Sequence, residues 1–516
     1  MQLELGVDDV LLVGAGLLLL AALTSSLFST VGAKLRVPGA LLFLVLGMAV
    51  GSDGLEWVIL DNPGLVQNLG AVALLFILLE GGLTTKPTDL RLSALPGGLL
   101  ATVGVLVTAA VTALGTWLLL DVGVMTAALI GAVVASTDAA AVFSMMRTTP
   151  LPRRVSAMLR LESGANDPIA VMLTVGLVAT ITGDGVTAGD WIGFAVVQLG
   201  GGALVGGTVG MAGVAALRRL ELGTEGMYPV IAWAMGALAY GVGAALGASG
   251  FLAVYVAGVL IGGLVPRHRR SILGVHEALA NASEIGLFLL LGLLVSPTDL
   301  PSVALPALLV AMVLTLVARP LAVVLCTMFQ GFDLRSRALL SWGGLRGAVP
   351  IVLATFPATA GVPGAAAIFN VVFFVVLVSV LVQGTTLQPL VRVLGLEEAR
   401  PGWAPVAEVL PIDGVEIDLI EVHVTDDLPL HGRFLHEVAP PDRALVAAIL
   451  RGDRVLIPRG DTRLANGDVL LLTSQREGDG DVSQRLTAWA RGEPLPGSRP
   501  GTGSKAPLPR ERADER

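Results

Sequence analysis

RLESGANDPIAVMLTVGLVATIT, Arg160–Thr182, sets two carboxylates and a proline at the head of an apolar run long enough to cross a bilayer. A transmembrane helix needs about 20 mostly apolar residues, and ionisable groups inside one are costly and usually functional. Glu162 and Asn166 are four residues apart and share one helix face; Ser163 and Asp167 share the adjacent strip. One strip offers a carboxylate and an amide, the other a hydroxyl and a carboxylate. Pro168 has no N–H, so the carbonyl of Gly164 is left free. Irregular backbone at membrane depth is tolerated where it lines a cavity, and it commonly builds ion sites in transporters.

The same composition extends over most of the chain. Of 516 residues, 54% are hydrophobic and 14% charged, against about 25% charged in a water-soluble domain. The pattern predicts about thirteen spans: 9–31, 38–52, 64–85, 95–120, 124–147, 157–182, 191–217, 227–246, 250–265, 278–296, 303–329, 337–357 and 365–393. The amino-terminal MQLELGVDDV lacks the basic stretch of a secretory signal, so the first apolar run is expected to stay as a span. With the N-terminus outside, the inside connections gather Lys34, Arg36, Lys86, Arg91, Arg147, Arg153, Arg154, Arg218, Arg219, Arg267, Arg269, Arg270, Arg335 and Arg337. The opposite connections hold Asp53, Glu56, Asp61, Asp121, Asp184, Asp190 and Asp299 and no Lys or Arg. By the positive-inside rule this supports an odd number of spans with the carboxyl-terminal domain in the cytoplasm.

Other ionisable residues inside spans are few: Glu80, Asp138 in VVASTDAAAVF, Glu284, Arg319 and Arg346 in SWGGLRGAVPI. Pro350 frees the carbonyl of Arg346 as Pro168 frees that of Gly164. Asp138, Asp167 and Glu80, with Ser163 and the Thr137 carbonyl, form an all-oxygen set suited to Na+ or K+ and lacking a soft donor for copper or zinc. Crowded carboxylates in a low-dielectric site hold protons more tightly, so a proton and a cation compete for one site. Competition plus alternating access gives antiport. Arg346 is expected to neutralise Glu162, which otherwise stands as a stranded buried charge; with Asn166 neutral, exchange is then one cation per proton.

The pieces FILLEGGL (Phe76–Leu83), ASTDAAAV (Ala135–Val142), LESGANDPIA (Leu161–Ala170) and GGLRGAVPI (Gly343–Ile351) together resemble the monovalent cation–proton antiporter superfamily over nearly all of 1–396. The Asn166–Asp167 pair resembles its electroneutral branch. The resemblance implies an all-α polytopic fold of two inverted repeats with broken, crossing helices, elevator-like alternating access and a homodimer. It makes Asp167 the central cation and proton carboxylate, Asp138, Ser163, the Thr137 carbonyl and Glu80 cation ligands, and Glu162, Asn166 and Arg346 a structural network beside the site, with Arg319 matching a further family arginine.

Past Gly395 the composition becomes ordinary. Residues 397–405 read as a linker, 406–475 as a small α+β domain and 476–516, rich in Gly, Pro, Arg and Glu, as a disordered tail. Strands are expected at Glu416–Val424, Ala444–Leu450, Arg454–Pro458 and Asp468–Thr473, with a helical turn near Arg433–Val438. The stretch DLPLHGRFLHEV (Asp427–Val438) and the IPRGDTRLANGD run (Ile457–Asp468) resemble the TrkA carboxyl-terminal type of regulatory domain. The pairing with such an antiporter resembles potassium/proton antiporters of the cell-volume-regulation group in the bacterial cytoplasmic membrane, tuned by a small regulator; Na+ is the alternative cation. A channel would need a filter or continuous pore; a symporter would need polar room for an organic substrate. Ser163 has no histidine in a neighbouring span, so hydrolase chemistry is not expected. Nothing points to a cofactor, a resident metal, nucleic acid or ATP. The single Cys326 makes no internal disulfide, and GGALVGGTVG (Gly201–Gly210) reads as close helix packing rather than a nucleotide loop.

Overall fold

The computed structural model describes residues 39–51, 53–58, 62–85, 95–138, 151–183, 187–220, 223–265, 268–397, 406–412, 415–424, 430–438, 444–452 and 454–475, with isolated positions at 16, 93, 426, 428, 440 and 489. The expected span 9–31, the linker and the 476–516 tail lie outside them, apart from Gly16, Glu397 and Trp489. The chain divides into two units, Met1–Glu398 and Ala399–Arg516.

In the first unit the helices are α1 Gly39–Val50, α2 Pro63–Thr84, α3 Leu95–Leu119, α4 Val124–Val133, α5 Arg153–Thr182, α6 Gly189–Arg219, α7 Met227–Ala245, α8 Gly250–Leu264, α9 Arg269–Leu294, α10 Pro297–Thr327, α11 Leu334–Trp342, α12 Ala348–Thr359 and α13 Ala365–Leu394. Among the described residues, eight are long and apolar enough to cross a membrane: α2, α3, α5, α6, α7, α9, α10 and α13. Helices α1, α4, α8 and α12 are apolar but shorter. Two expected spans differ from the structure. The run 124–147 is helical to Val133 and without regular secondary structure at Ser136–Asp138, with 139–147 outside the described residues. The run 337–357 is split between α11 and α12 by Gly343–Gly347.

Helix starts follow local chemistry. Asn62 accepts from the Leu65 N–H at 3.0 Å ahead of Pro63, and Asp333 caps α11 through the Ser336 N–H at 3.1 Å. Inside the helices many hydroxyls donate to the carbonyl four residues back, as Thr174 does to Ala170 and Thr327 to Val323, so polar side chains cost little in an apolar layer. Glycines bring helices together backbone to backbone. A Cβ at Gly82 would meet the backbone of Tyr255 and Val259 in α8; one at Gly258 or Gly262 would meet the backbone of α2 at Leu79 or Leu83. At Gly70 and Gly236 the obstacles are instead the side chains of Val352 and Leu79. Short π-helical turns interrupt α3 at Leu100–Gly104, α10 at Leu314–Ala318 and α13 at Ser379–Gln383.

The second unit is one antiparallel sheet in the order β1-β2-β5-β3-β4, with β1 Val406–Ile412, β2 Val415–His423, β3 Ala444–Arg451, β4 Arg454–Leu456 and β5 Asp468–Gln475. The expected helical turn is a 3-10 turn at Leu435–Val438. Strand β1 was not expected from sequence: it carries Glu408 and Pro411, and an edge strand tolerates both. Val422, Ile449, Leu470 and Leu472 form one face of the core, closed by Val424, Leu428, Leu430 and Leu464. At the end of β5 the fully buried Asp468 carboxylate accepts from Arg451 at 2.7 and 2.8 Å and from the Ala465 N–H at 2.8 Å. Burial alone would raise this carboxyl; the hydrogen bonds from Arg451 and Ala465 outweigh it and hold the carboxyl below its usual range. A depressed folded pKa contributes stability above the unfolded value of about 4 and loses it as pH falls through the folded value. Arg451→Ala should therefore destabilise the sheet by about 1–3 kcal/mol at neutral pH, read as faster hydrogen exchange of β3 and β5 amides in the full-length protein. Wild type should lose that same protection only below about pH 4.

Candidate functional site

Two chain breaks define the site. The first follows α4, where Ser136, Thr137 and Asp138 have side chains that compete with helical hydrogen bonding. The second joins α11 to α12 through Gly343–Gly347. The segments meet. The Asp138 N–H donates to the Leu345 carbonyl at 2.8 Å, and the Arg346 guanidinium donates to the carbonyls of Ala135 at 2.9 Å and Ser136 at 2.7 Å. Glycine is required by contact: a Cβ at Gly347 would strike the Asp138 carboxylate, and one at Gly344 the Arg319 guanidinium. Pro350 falls in the first turn of α12, just past the break.

Helix α5 lies against the first break and presents its polar strip to it. The Ser136 hydroxyl donates to Asp167 Oδ1 at 2.5 Å, and the Ser163 hydroxyl donates to the Thr137 carbonyl at 3.0 Å. Asn166 Nδ2 donates to Thr137 Oγ1 at 2.5 Å, and Thr137 Oγ1 reaches Glu162 Oε1 at 3.5 Å. Asp167 is 6% exposed and Asn166 0%, so these contacts are made out of water, where an unmade one is costly.

The Glu162 partner differs from the sequence expectation. Its carboxylate is held by Arg319 of α10 through both oxygens, Nη2 to Oε2 at 2.7 Å and Nη1 to Oε1. Arg319 also donates to the Leu340 carbonyl at 3.1 Å. Arg346 instead serves the backbone of the first break. Position on α5 fixes which face Glu162 occupies but not which arginine of two other helices reaches it.

The structure thus gathers Asp138, Asp167, Ser163, Thr137, Glu162, Asn166, Arg319 and Arg346. Glu80, near the end of α2, has Glu277, Arg160 and Glu284 as charged neighbours. Glu284 of α9, which sequence reading left out of the site, interacts electrostatically with both Asp138 and Glu80 and links them. Its signal was present as an acid within the apolar run NASEIGLFLL. The Ser136 hydroxyl and the polar pair Ser379 and Gln383 were also missed. No group of three or more His, Cys, Asp or Glu suited to a resident metal occurs among the described residues.

The transmembrane sodium/hydrogen exchanger family model matches residues 19–393, and the TrkA-C domain model matches 419–478. Over 490 residues the chain is 38% identical to a "K(+)/H(+) antiporter NhaP2" of Shewanella sp. (strain ANA-3), covering 91% of this chain and 82% of that protein. It is 36% identical to a "K(+)/H(+) antiporter NhaP" of Alkalimonas amylolytica, covering 92% and 83%. It is 29% identical to a "Na(+)/H(+) antiporter NhaS2" of Synechocystis sp., covering 74% and 71%. A solved structure of the sodium proton antiporter MjNhaP1 from Methanocaldococcus jannaschii at pH 8 is 23% identical, with a TM-score of 0.65 over 75% of this chain and 99% of that one; it speaks for the fold.

The ion pair yields a stability test. Removing one partner of a buried pair costs about 3–5 kcal/mol because the other charge is stranded. Glu162→Gln and Arg319→Gln should each sharply lower the detergent melting temperature, and the double variant should lose less than the sum of the two. Additive losses would show that the pair is not coupled.

Proposed function

The chain belongs to the sodium/hydrogen exchanger family, and we propose that it is a secondary antiporter exchanging K+ for H+ across the bacterial cytoplasmic membrane. The observation that carries this reading is the charge balance of the buried cluster. At the crossing itself Glu162, Asp138 and Asp167 supply three negative charges and Arg319 and Arg346 two positive ones, leaving one negative charge among these five groups. With the neighbouring Glu80 and Glu284 taken as neutral, either one monovalent cation or one proton cancels it. A site that tolerates one or the other, and neither both nor none, exchanges them one for one. This supports electroneutral transport.

Asp167 is the shared cation and proton carboxylate in this reading. Asp138, Ser163 and the Thr137 carbonyl complete the cation shell, with Glu80 on its approach. Thr137 keeps a second carbonyl lone pair after accepting from Ser163. Glu162, Arg319, Asn166 and Arg346 hold the shell's shape. Two inverted repeats, elevator-type movement and a homodimer follow the family resemblance. The arginine-rich connections favour the N-terminus outside and residues 406–475 in the cytoplasm as a regulatory domain of TrkA-C type, open to a small ligand. Residues 1–396 would form the exchanger, 397–405 the linker and 476–516 a tail. The role would lie in potassium, pH and cell-volume homeostasis.

K+ is favoured over Na+ by the relatives named K+/H+ antiporters. Na+ remains a second reading because hard oxygens accept either ion. Proton efflux from acid-loaded proteoliposomes distinguishes them. K+ should drive efflux more strongly than Na+, and Asp167→Ala should be silent with both. Na+-dominated efflux would keep the mechanism and replace the cation; an active Asp167→Ala variant would overturn the site. In the same vesicles a voltage-sensitive dye should report no net charge movement during exchange, and a potential set up by K+ would overturn one-for-one stoichiometry.

A further inference from the structure

The second break leaves backbone groups on both sides that the crossing with the first does not satisfy. Trp342 ends α11 with a carbonyl that no longer has a helical donor, and Arg346 precedes α12 with a free N–H. Both are met from α13. Gln383 Nε2 donates to the Trp342 carbonyl at 3.1 Å, and the Arg346 N–H donates to Ser379 Oγ at 3.1 Å. The Ser379 hydroxyl in turn donates to Gln383 Oε1 at 2.5 Å. Ser379 and Gln383 are 5% and 3% exposed. They are the first and last residues of the π-helical turn Ser379–Gln383, and such turns often mark functional positions.

We infer that Ser379 and Gln383 form a clamp on α13 that sets the span of the Gly343–Gly347 break and thereby positions the cation site. The clamp acts through Arg346. The backbone of this residue is fixed by Ser379, and its guanidinium holds the Ala135 and Ser136 carbonyls. Ser136 carries the hydroxyl bound to Asp167, and the next carbonyl is that of Thr137. A shift of the break therefore reaches the cation shell through two hydrogen-bonded steps.

The direction of the bonds makes the clamp specific. Ser379 must accept from the backbone and donate to the amide; Gln383 must accept from Ser379 and donate to the backbone. A carboxylate at 383 keeps the shape and the acceptor but loses the donor. Neither residue is among the cation ligands proposed above, so both are positioning residues, and the inference rests on the antiport reading above.

The test compares Ser379→Ala, Gln383→Glu, Gln383→Leu and Ser379→Thr with wild type in proteoliposomes over a range of K+ and Na+. Thr386→Val is the control. Thr386 lies on the same helix and binds Trp342, but through the indole Nε1 at 2.9 Å, leaving both ends of the break alone. Half-saturating K+ should rise about tenfold in Ser379→Ala, Gln383→Glu and Gln383→Leu, the loss of one buried hydrogen bond, with the maximal rate changed less. Ser379→Thr, which keeps the hydroxyl, should restore most of the affinity, and Thr386→Val should match wild type. Rates are scaled to the monodisperse protein recovered, so poor folding does not imitate weak binding. The clamp is overturned if its variants yield less folded protein but bind K+ as wild type does, if Gln383→Glu equals wild type, or if Thr386→Val weakens K+ equally. Wild type that exchanges neither cation would overturn the antiport reading itself.

Discussion

Backbone amides and carbonyls cannot be left open in an apolar layer, where each unsatisfied group costs several kcal/mol. Under that constraint α4 ends ahead of Ser136, the run from α11 to α12 is interrupted at Gly343–Gly347, and much of the rest is arranged around these two segments. The carbonyls of residues 135, 136 and 137 are met by Arg346, Arg346 and Ser163. Those of Leu340, Trp342 and Leu345 are met by Arg319, Gln383 and the Asp138 N–H. Each break supplies partners for the other, so neither is stable alone. The glycines at 344 and 347 are then consequences: the guanidinium and carboxylate that satisfy or face the break need the volume a Cβ would take.

Charge follows from the same arrangement. Glu162 is committed to Arg319 through both oxygens, which removes one negative charge from the ion's reach and anchors α5 to α10. Arg346 spends its hydrogen bonds on neutral carbonyls, so its charge remains available to the field felt by Asp138 and Asp167. Two arginines only 27 positions apart thus serve different ends: one closes a pair, the other shapes the potential around Asp138 and Asp167, the carboxylates proposed to hold cation or proton.

The apolar spans were legible because length and composition define them, and the polar strip of α5 was legible because helical spacing decides which residues share a face. Helix interruption was read from Pro168 and Pro350, yet α5 runs on through Pro168 and the second break falls ahead of Pro350, at Gly343–Gly347; a run of apolar residues such as 337–357 looks continuous whether or not it is broken in the middle. Contacts between distant segments were not legible. Nothing in spacing prefers Arg319 over Arg346 for Glu162, and a glutamine late in FFVVLVSVLVQ gives no hint that a carbonyl 41 residues earlier is its partner. Strand β1 escaped notice because edge strands accept the proline and acid that disqualify a central one.

The glycine crossing between α2 and α8 has a genetic consequence. At Gly70 or Gly236 an added methyl meets a side chain, so a smaller residue at Val352 or Leu79 can make room, and intragenic suppressors should exist. At Gly82, Gly258 and Gly262 the added methyl meets main chain. No substitution elsewhere shortens a peptide backbone, so lesions at these three positions have no single-site remedy in the facing helix. The two helices are bound to one another in descent as well as in space: a lineage can exchange the residues that line the crossing only by moving the helices apart, and with them the end of α2 that carries Glu80.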